Sequence, residues 1–297
     1  MPRIPRIALS LLAVLAAVPA RAQEGPDTTR VQVVPVARGV WMLVGRGGNI
    51  GVSAGADGVF LVDDQYAPLT GRIRQAVATI SDRPIRFVLN THWHGDHTGG
   101  NENFGREGVL IVAHDNVRRR MSSEQFIASL NRREPPSPRG ALPVVTFAEG
   151  VTFHLNGDSI VVTHMPAAHT DGDAIVHFAK ANVIHAGDAF NTAGLPFVDL
   201  SSGGSIHGVI RVAERILSVA NAQTRIIPGH GPVTDREKVR VWRDALIALR
   251  DRVKAEVAAG KTVEQVLAMN LTAPYAKDFA GGHERFVRLL HQELSGK

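Results

Sequence analysis

The chain has 297 residues, 44% of them hydrophobic and 21% charged, which allows a sizeable buried core and excludes wholesale disorder. Its formal charge of +5 gives no argument for nucleic acid as a partner. Three of the 33 basic residues (Arg3, Arg6 and Arg21) and none of the 28 acidic ones lie in the first 22 positions, leaving 30 basic against 28 acidic side chains beyond them.

The N-terminus reads as an export signal. Arg3 and Arg6 make a basic start, Ile7 to Val18 an apolar stretch, and Ala20-Arg21-Ala22 a small-residue cleavage pattern. The apolar stretch is too short to anchor stably in a bilayer. The expected organisation is a signal peptide over residues 1–22 and a single domain over 23–297 that ends in helices. The product is expected to be periplasmic or secreted, with no membrane span after signal removal.

The runs Val31–Val34, Val40–Val44, Ile50–Ala54 and Val59–Val62 are β-rich and are separated by turn signals such as Asp57-Gly58. Leu69 to Ile80 predicts a helix, with Ile73, Val77 and Ile80 on one stripe. Ile85–Leu89 and Val109–Ala113 predict strands, and Asp115 to Leu130 a helix. Asn131 to Pro143, rich in Pro and Arg, reads as a mobile loop. A second half runs from Val144 to Gly231, with strand-like Ser159–Met165, Ala174–Phe178 and Val183-Ile184 and a helix over Ser205–Ala220. Helices are then expected over Asp235–Ala259, Thr262–Met269 and His283–Leu294, with Thr262 and Gln265 forming a capping box.

Directly after the strand Ile85–Leu89 comes Thr91-His92-Trp93-His94-Gly95-Asp96-His97. Alternate residues of an extended segment share a face, so His92, His94 and Asp96 can converge, and a bend at Gly95 brings His97 to them. Imidazole suits zinc and similar metals, and a carboxylate adds negative charge. The cluster is dense enough for two ions. With no cysteine in the chain, every metal ligand must be His, Asp or Glu.

Three more Gly-containing loops follow strand-like runs and carry His169, Asp188 (in His185-Ala186-Gly187-Asp188) and His230 (in Pro228-Gly229-His230-Gly231). Loops held by a rigid sheet are the usual home of catalytic residues. Five of the 13 histidines belong to this constellation, and the rest read as structural or surface residues. His207, just after Gly203-Gly204, is the one most suited to the mouth of a site. Asp63 or Asp64, at a strand end, is a candidate to orient a ligand. Trp93 reads as packing beneath the cluster, and Asn191 as a pocket residue.

These elements, in this order, resemble the metallo-β-lactamase superfamily. The resemblance rests on His-x-His-x-Asp-His at His92 to His97, on His169, on Gly187-Asp188 and on Pro228 to Gly231, and it spans roughly residues 30 to 235. It implies an α/β fold, the four-layer αβ/βα sandwich. It also implies that His92, His94 and His169 hold one Zn2+, that Asp96, His97 and His230 hold a second, and that Asp188 bridges them. The β-lactamases nearest this pattern usually carry a metal-binding Cys where Asp188 stands, often followed by a substrate-binding lysine. Here Ala189-Phe190-Asn191-Thr192 follows. In that respect the chain looks more like the thioester and phosphoester hydrolases of the superfamily.

The expected function is an exported dizinc metallohydrolase that cleaves an ester, thioester or amide bond of a small molecule by metal-bound hydroxide. Asp96 would orient the nucleophile, and a β-lactam is among the candidate substrates. Substrate contacts are expected from Trp41 to Gly48, from the Pro-rich loop and from Asn191 to Ser205. The alternatives are a thioesterase of the glyoxalase II type and a non-catalytic zinc-binding protein of the same fold. A diiron oxidoreductase of this fold usually carries Glu at the position of His94.

The exported chain is expected to begin at Gln23, as mass spectrometry of protein from the native host will show. An intact Met1 start in the cytosol would refute export.

Overall fold

The computed structural model describes residues 29–296, so the expected signal segment lies outside the described residues. The first sheet begins with β1 (Gln32–Ala37), β2 (Val40–Val44), β3 (Ile50–Gly55), β4 (Gly58–Val62), β5 (Ile85–Leu89) and β6 (Leu110–His114), hydrogen-bonded in that order. β7 (Gln125–Ile127) and β8 (Arg132–Glu134) form a separate hairpin, and β9 (Val145–Phe147) completes the first sheet beside β6. The second sheet orders β10 (Gly150–Leu155), β11 (Asp158–His164), β12 (Ala174–Phe178), β13 (Val183–His185), β14 (Arg225–Ile227) and β15 (Thr234–Asp235). β4, β5, β6 and β9 run parallel, as do β13 and β14, while the other neighbouring pairs are antiparallel.

The helices are α1 (Thr70–Ala78), α2 (Gly95–Thr98), α3 (Asn101–Gly105), α4 (Asp115–Met121), α5 (Ile206–Val219), α6 (Arg236–Ala258), α7 (Val263–Ala268) and α8 (His283–Ser295). The capping box of α7 forms as the sequence predicts. Among the described residues no helix is long and apolar enough to cross a membrane.

Strand alternation sorts the core into layers. In β4, Phe60 and Val62 face the second sheet and pack with Val162, Val176 and Phe178. Val59 and Leu61 face the other way and pack with Ile73, Val77 and Phe104 of α1 and α3. On the far side, Ile175, Ile184 and Ile226 of the second sheet meet α5, α6 and α8 through Ile210, Leu246, Phe286 and Leu290. The order is therefore helices, sheet, sheet, helices, the four-layer αβ/βα sandwich. β4 is buried on both faces and reads as a continuous apolar run for that reason, whereas β5 exposes Arg86 before its buried end at Val88 and Leu89.

Two expectations fail between α4 and β9. The helix predicted over Asp115 to Leu130 stops at Met121, because Ser122 Oγ donates back to the Arg118 carbonyl (2.7 Å) and the chain then pairs as the β7–β8 hairpin. Ile127 turns inward against Trp93, Val117 and Met121. The Pro-rich stretch to Pro143 is strapped down rather than loose. Ser137 N donates to Met121 O (2.8 Å), Asn101 Nδ2 to Ala141 O (2.9 Å), and Arg118 to Pro143 O.

One close approach fixes the placement of α5. A Cβ on Gly208 would lie 1.6 Å from the Ala167 carbonyl oxygen, and Ser205 N donates to Ala168 O (2.8 Å). Only glycine lets α5 press against the loop that carries His169. Gly208→Ala is expected to push the helix off this loop and to destabilise the fold by about 1–3 kcal/mol, measured by urea unfolding.

Candidate metal centre

The seven predicted ligands converge at one edge of the sandwich, where the chain leaves β5, β11, β13 and β14. Three groups have ligand atoms within 4.8 Å of one another: His92, His94 and His169; Asp96, His97 and His230; and His92, His97 and Asp188. The extended strand ends at Leu89, and the chain bends through Thr91 to Trp93. At Gly95 it turns into α2, so Asp96 and His97 arrive from a helical turn and not from one extended face.

Each buried imidazole is oriented from behind. The carboxylate of Asp63, fully buried after β4, accepts from Thr91 N (2.7 Å) and Thr91 Oγ1 (2.8 Å) and lies 2.8 Å from His97 Nδ1. Thr91 Oγ1 lies 3.1 Å from His92 Nδ1, so one carboxylate supports His97 directly and His92 through Thr91. His169 Nδ1 lies 2.7 Å from the Phe197 carbonyl oxygen, which only an N–H can satisfy. His94 is reversed: its Nε2 meets Asp199 Oδ2 at 3.2 Å and its Nδ1 faces His169 Nε2 at 2.9 Å. These partners engage the outer nitrogen of each ring and leave the inner nitrogen aimed at the cluster, as a metal site requires. His92 Nε2 is buried without a hydrogen-bond partner.

Asp188 sits in the middle. Its Oδ1 is 3.1 Å from His97 Nε2, and its Oδ2 is 3.3 Å from His230 Nε2 and 3.7 Å from His169 Nε2. Asp96 Oδ2 is 3.3 Å from His230 Nε2. Burial alone would raise Asp188, but His97 and His230 hold it well below the usual carboxylate range. The same two histidines overcome burial at Asp96 and bring it to about 2. Asp188 raises His230 to about 10, and His97 is held well above its ordinary value by Asp188, Asp96 and Asp63 despite its burial. Burial pushes His92 well down, and burial with the neighbouring His94 brings His169 to about 4. The site therefore joins neutral imidazoles on one side to carboxylates balanced by protonated imidazoles on the other. A divalent cation can replace those protons without leaving buried charge uncompensated.

The remaining predicted residues divide. Asp63 orients ligands, whereas Asp64 faces away and accepts from Gly100 N (2.9 Å). Trp93 is buried with Ala113, Val117 and Met121, and its ring lies 4.8 Å from that of His94. Asn191 lines the cleft over the cluster. His207 is exposed at the start of α5 and does not line that cleft. Asp199 escaped the sequence reading. It caps the turn Leu200–Ser202, and an Asp followed by serines reads as turn chemistry alone.

The cleft encloses about 390 Å³. Its floor is His94, Asp96, Asp188 and His230, and its walls include Tyr66, Ile127, Leu130, Phe197 and Arg285. Of the expected substrate segments, those after Asn131 and Asn191 contribute to it, and Trp41 to Gly48 does not. Gly48 instead packs on the cluster, where a Cβ would lie 2.0 Å from His97 Cε1. A separate depression lined by Asp57, His154 and Lys180 lies at the opposite ends of the strands and holds none of these residues.

Comparison with known proteins agrees with this architecture. The family model of the metallo-β-lactamase superfamily matches residues 43–261, and the chain belongs to that superfamily. A linear primary-alkylsulfatase from a Pseudomonas species is 25% identical over 81% of this chain and 54% of its own length. A β-lactamase-like protein 2 homolog from Caenorhabditis elegans is 23% identical over 67% of this chain and 59% of its own. The chain thus spans little more than half the length of these relatives. Among solved structures, a metallo-β-lactamase from Pontibacter korlensis superposes with a TM-score of 0.60 at 19% identity, covering 73% of this chain and 99% of that one. The sec-alkylsulfatase Pisa1 from Pseudomonas sp. superposes with a TM-score of 0.66 at 15% identity, covering 88% of this chain and 50% of that one.

Asp63→Asn keeps an acceptor for Thr91 but removes the charge behind His97. It is expected to weaken metal binding about 10- to 100-fold with little change in secondary structure. Competition with a chromogenic chelator measures this, and unchanged affinity would show that Asp63 is only a fold residue.

Proposed function

We propose that this protein is an exported zinc-dependent hydrolase that binds two Zn2+ ions and cleaves an ester, thioester or amide bond of a small molecule. The observation that carries the reading is the set of oriented imidazoles, with four inner ring nitrogens aimed into one space whose other wall is carboxylate. His92, His94 and His169 would hold one ion, Asp96, His97 and His230 the other, and Asp188 lies between them. When bound, zinc supplies an activated water at neutral pH and polarises the bond to be cleaved.

The chain's own residues supply the rest. Asp63 and Asp199 fix the rings of His97 and His94. Asp96 Oδ2, beside His230 at the cleft floor, orients the attacking water and receives its proton. Ile127, Leu130, Leu195 and Phe197 give the cleft an apolar wall, which suits a substrate with an apolar portion. Asp188 in place of a cysteine, with no lysine after it, favours esters and thioesters over β-lactams. Sulfate esters are a second class to test, because a relative carries the name alkylsulfatase.

Zinc titration of chelator-free protein is expected to saturate near two ions per chain, and a plateau near one would remove the dinuclear reading. Hydrolysis is to be screened on β-lactams, lactones, thioesters, phosphoesters and sulfate esters. Asp188→Ala is expected to weaken the second ion more than the first and to lower turnover of the best substrate on the order of a hundredfold. Unchanged zinc affinity and turnover would show that Asp188 is not a ligand.

A further inference from the structure

Arg285, in the first turn of α8, lies far in sequence from the ligand loops, yet its side chain lines the cleft over the cluster. Its guanidinium carbon sits 5.1 Å from the centre of the Phe197 ring. That ring lies 6.1 Å from the His94 ring and 5.6 Å from the His169 ring, centre to centre. The Phe197 carbonyl oxygen is also the partner of His169 Nδ1. One aromatic ring therefore neighbours both the exposed Arg285 guanidinium and the imidazoles of His94 and His169.

Among the described residues no carboxylate hydrogen-bonds or ion-pairs with Arg285. Burial pulls its guanidinium below the ordinary arginine value with nothing to offset it. The other arginine of the cleft, Arg132, is paired with Glu134. Arg285 is exposed at the rim of the cleft, whose lining also includes the apolar Ile127, Leu130 and Leu195. A planar cation held by an aromatic face and left without a counter-ion is suited to bind an oxyanion through two parallel N–H bonds.

We propose that Arg285 is a specificity-determining residue that receives an anionic oxygen group, a carboxylate or a sulfate-type group, carried by the substrate at a distance from the bond cleaved. The assignment rests on the hydrolase reading above and deepens it. A substrate of this kind spans the cleft, with its reacting bond at the histidine cluster, its apolar portion along Leu195 and Phe197, and its charge at Arg285. Neutral analogues lose the anchor and keep access to the reacting groups.

The test uses zinc-loaded protein and three para-nitrophenyl esters with acyl chains of similar length: butyrate, glutarate and sulfobutyrate. Wild-type protein is expected to prefer one or both anionic esters, and the two distinguish a carboxylate from a sulfonate or sulfate source. Arg285→Ala is expected to lower kcat/KM for the preferred anionic ester about tenfold or more, chiefly through KM, and to leave the butyrate ester unchanged. Arg285→Lys keeps the charge and is expected to recover part of the loss. Zinc content and melting temperature of both variants should match wild type.

Equal losses on neutral and anionic esters, or no loss on any, would overturn the assignment. If wild-type protein hydrolyses none of the esters, the hydrolase reading fails for this class, and binding still decides the role of Arg285. Calorimetric titration with free glutarate is then expected to weaken about tenfold in Arg285→Ala, with butyrate unaffected. Equal glutarate affinity in both proteins would refute the anion site.

Discussion

The rest of the centre depends on one buried carboxylate. Asp63 leaves β4 in a left-handed backbone conformation (φ 66°), which Asp tolerates better than most residues, and turns its side chain under the start of the histidine motif. From there it holds the Thr91 backbone, the Thr91 hydroxyl and the His97 ring, and through Thr91 it reaches His92. A fully buried carboxylate is costly unless it is hydrogen-bonded, so these contacts are as much a condition of burying Asp63 as a service to the ligands. The parallel pairing of β4 with β5 brings donor and acceptor together, because it ends both strands at the same edge.

The second constraint is space. Five rings and two carboxylates occupy a volume that ordinary backbone cannot share. Glycine lines it where the chain comes closest: Gly48 against His97, and Gly229 against Asp188, where a Cβ would lie 2.0 Å from Oδ1. Ala167, two residues before His169, adopts φ 49°, an uncommon conformation for alanine that α5 enforces by packing on its carbonyl. Strain of this kind persists only where surrounding structure over-determines it. Here it is determined by the helix layer behind the second sheet.

The cleft is built from parts that neither sheet supplies. The β7–β8 hairpin, the segment from Asn191 to Phe197 and the start of α8 reach over the ligand floor, and each belongs to a connection or to the chain's end. The walls of the cleft are therefore separable from the His and Asp cluster at its floor. The floor is set by strand ends that must align for the sandwich to exist. The walls can vary without disturbing them.

The sequence by itself determined the His and Asp cluster that could hold a metal, the Gly-containing loops that carry it and most of the strands before and after it. Metal-binding side chains are few in kind, and the strands alternate or run apolar with a clear period. It determined the helices α5, α6 and α8 for the same reason. It misjudged the stretch from Ser122 to Pro143, where short strands and prolines carry little periodic signal and hydrogen bonds to Met121, Asn101 and Arg118 impose the conformation. It placed His207 near the site, although its first-turn position on α5 turns it to solvent. It gave no sign of Asp199 or Arg285. An Asp before two serines looks like any capping turn, and an arginine on a C-terminal amphipathic helix looks like its solvent face. Only tertiary structure decided that α8 begins at the cleft and that Phe197 bridges Arg285 to the histidines, because both contacts join segments whose separation along the chain leaves no local trace.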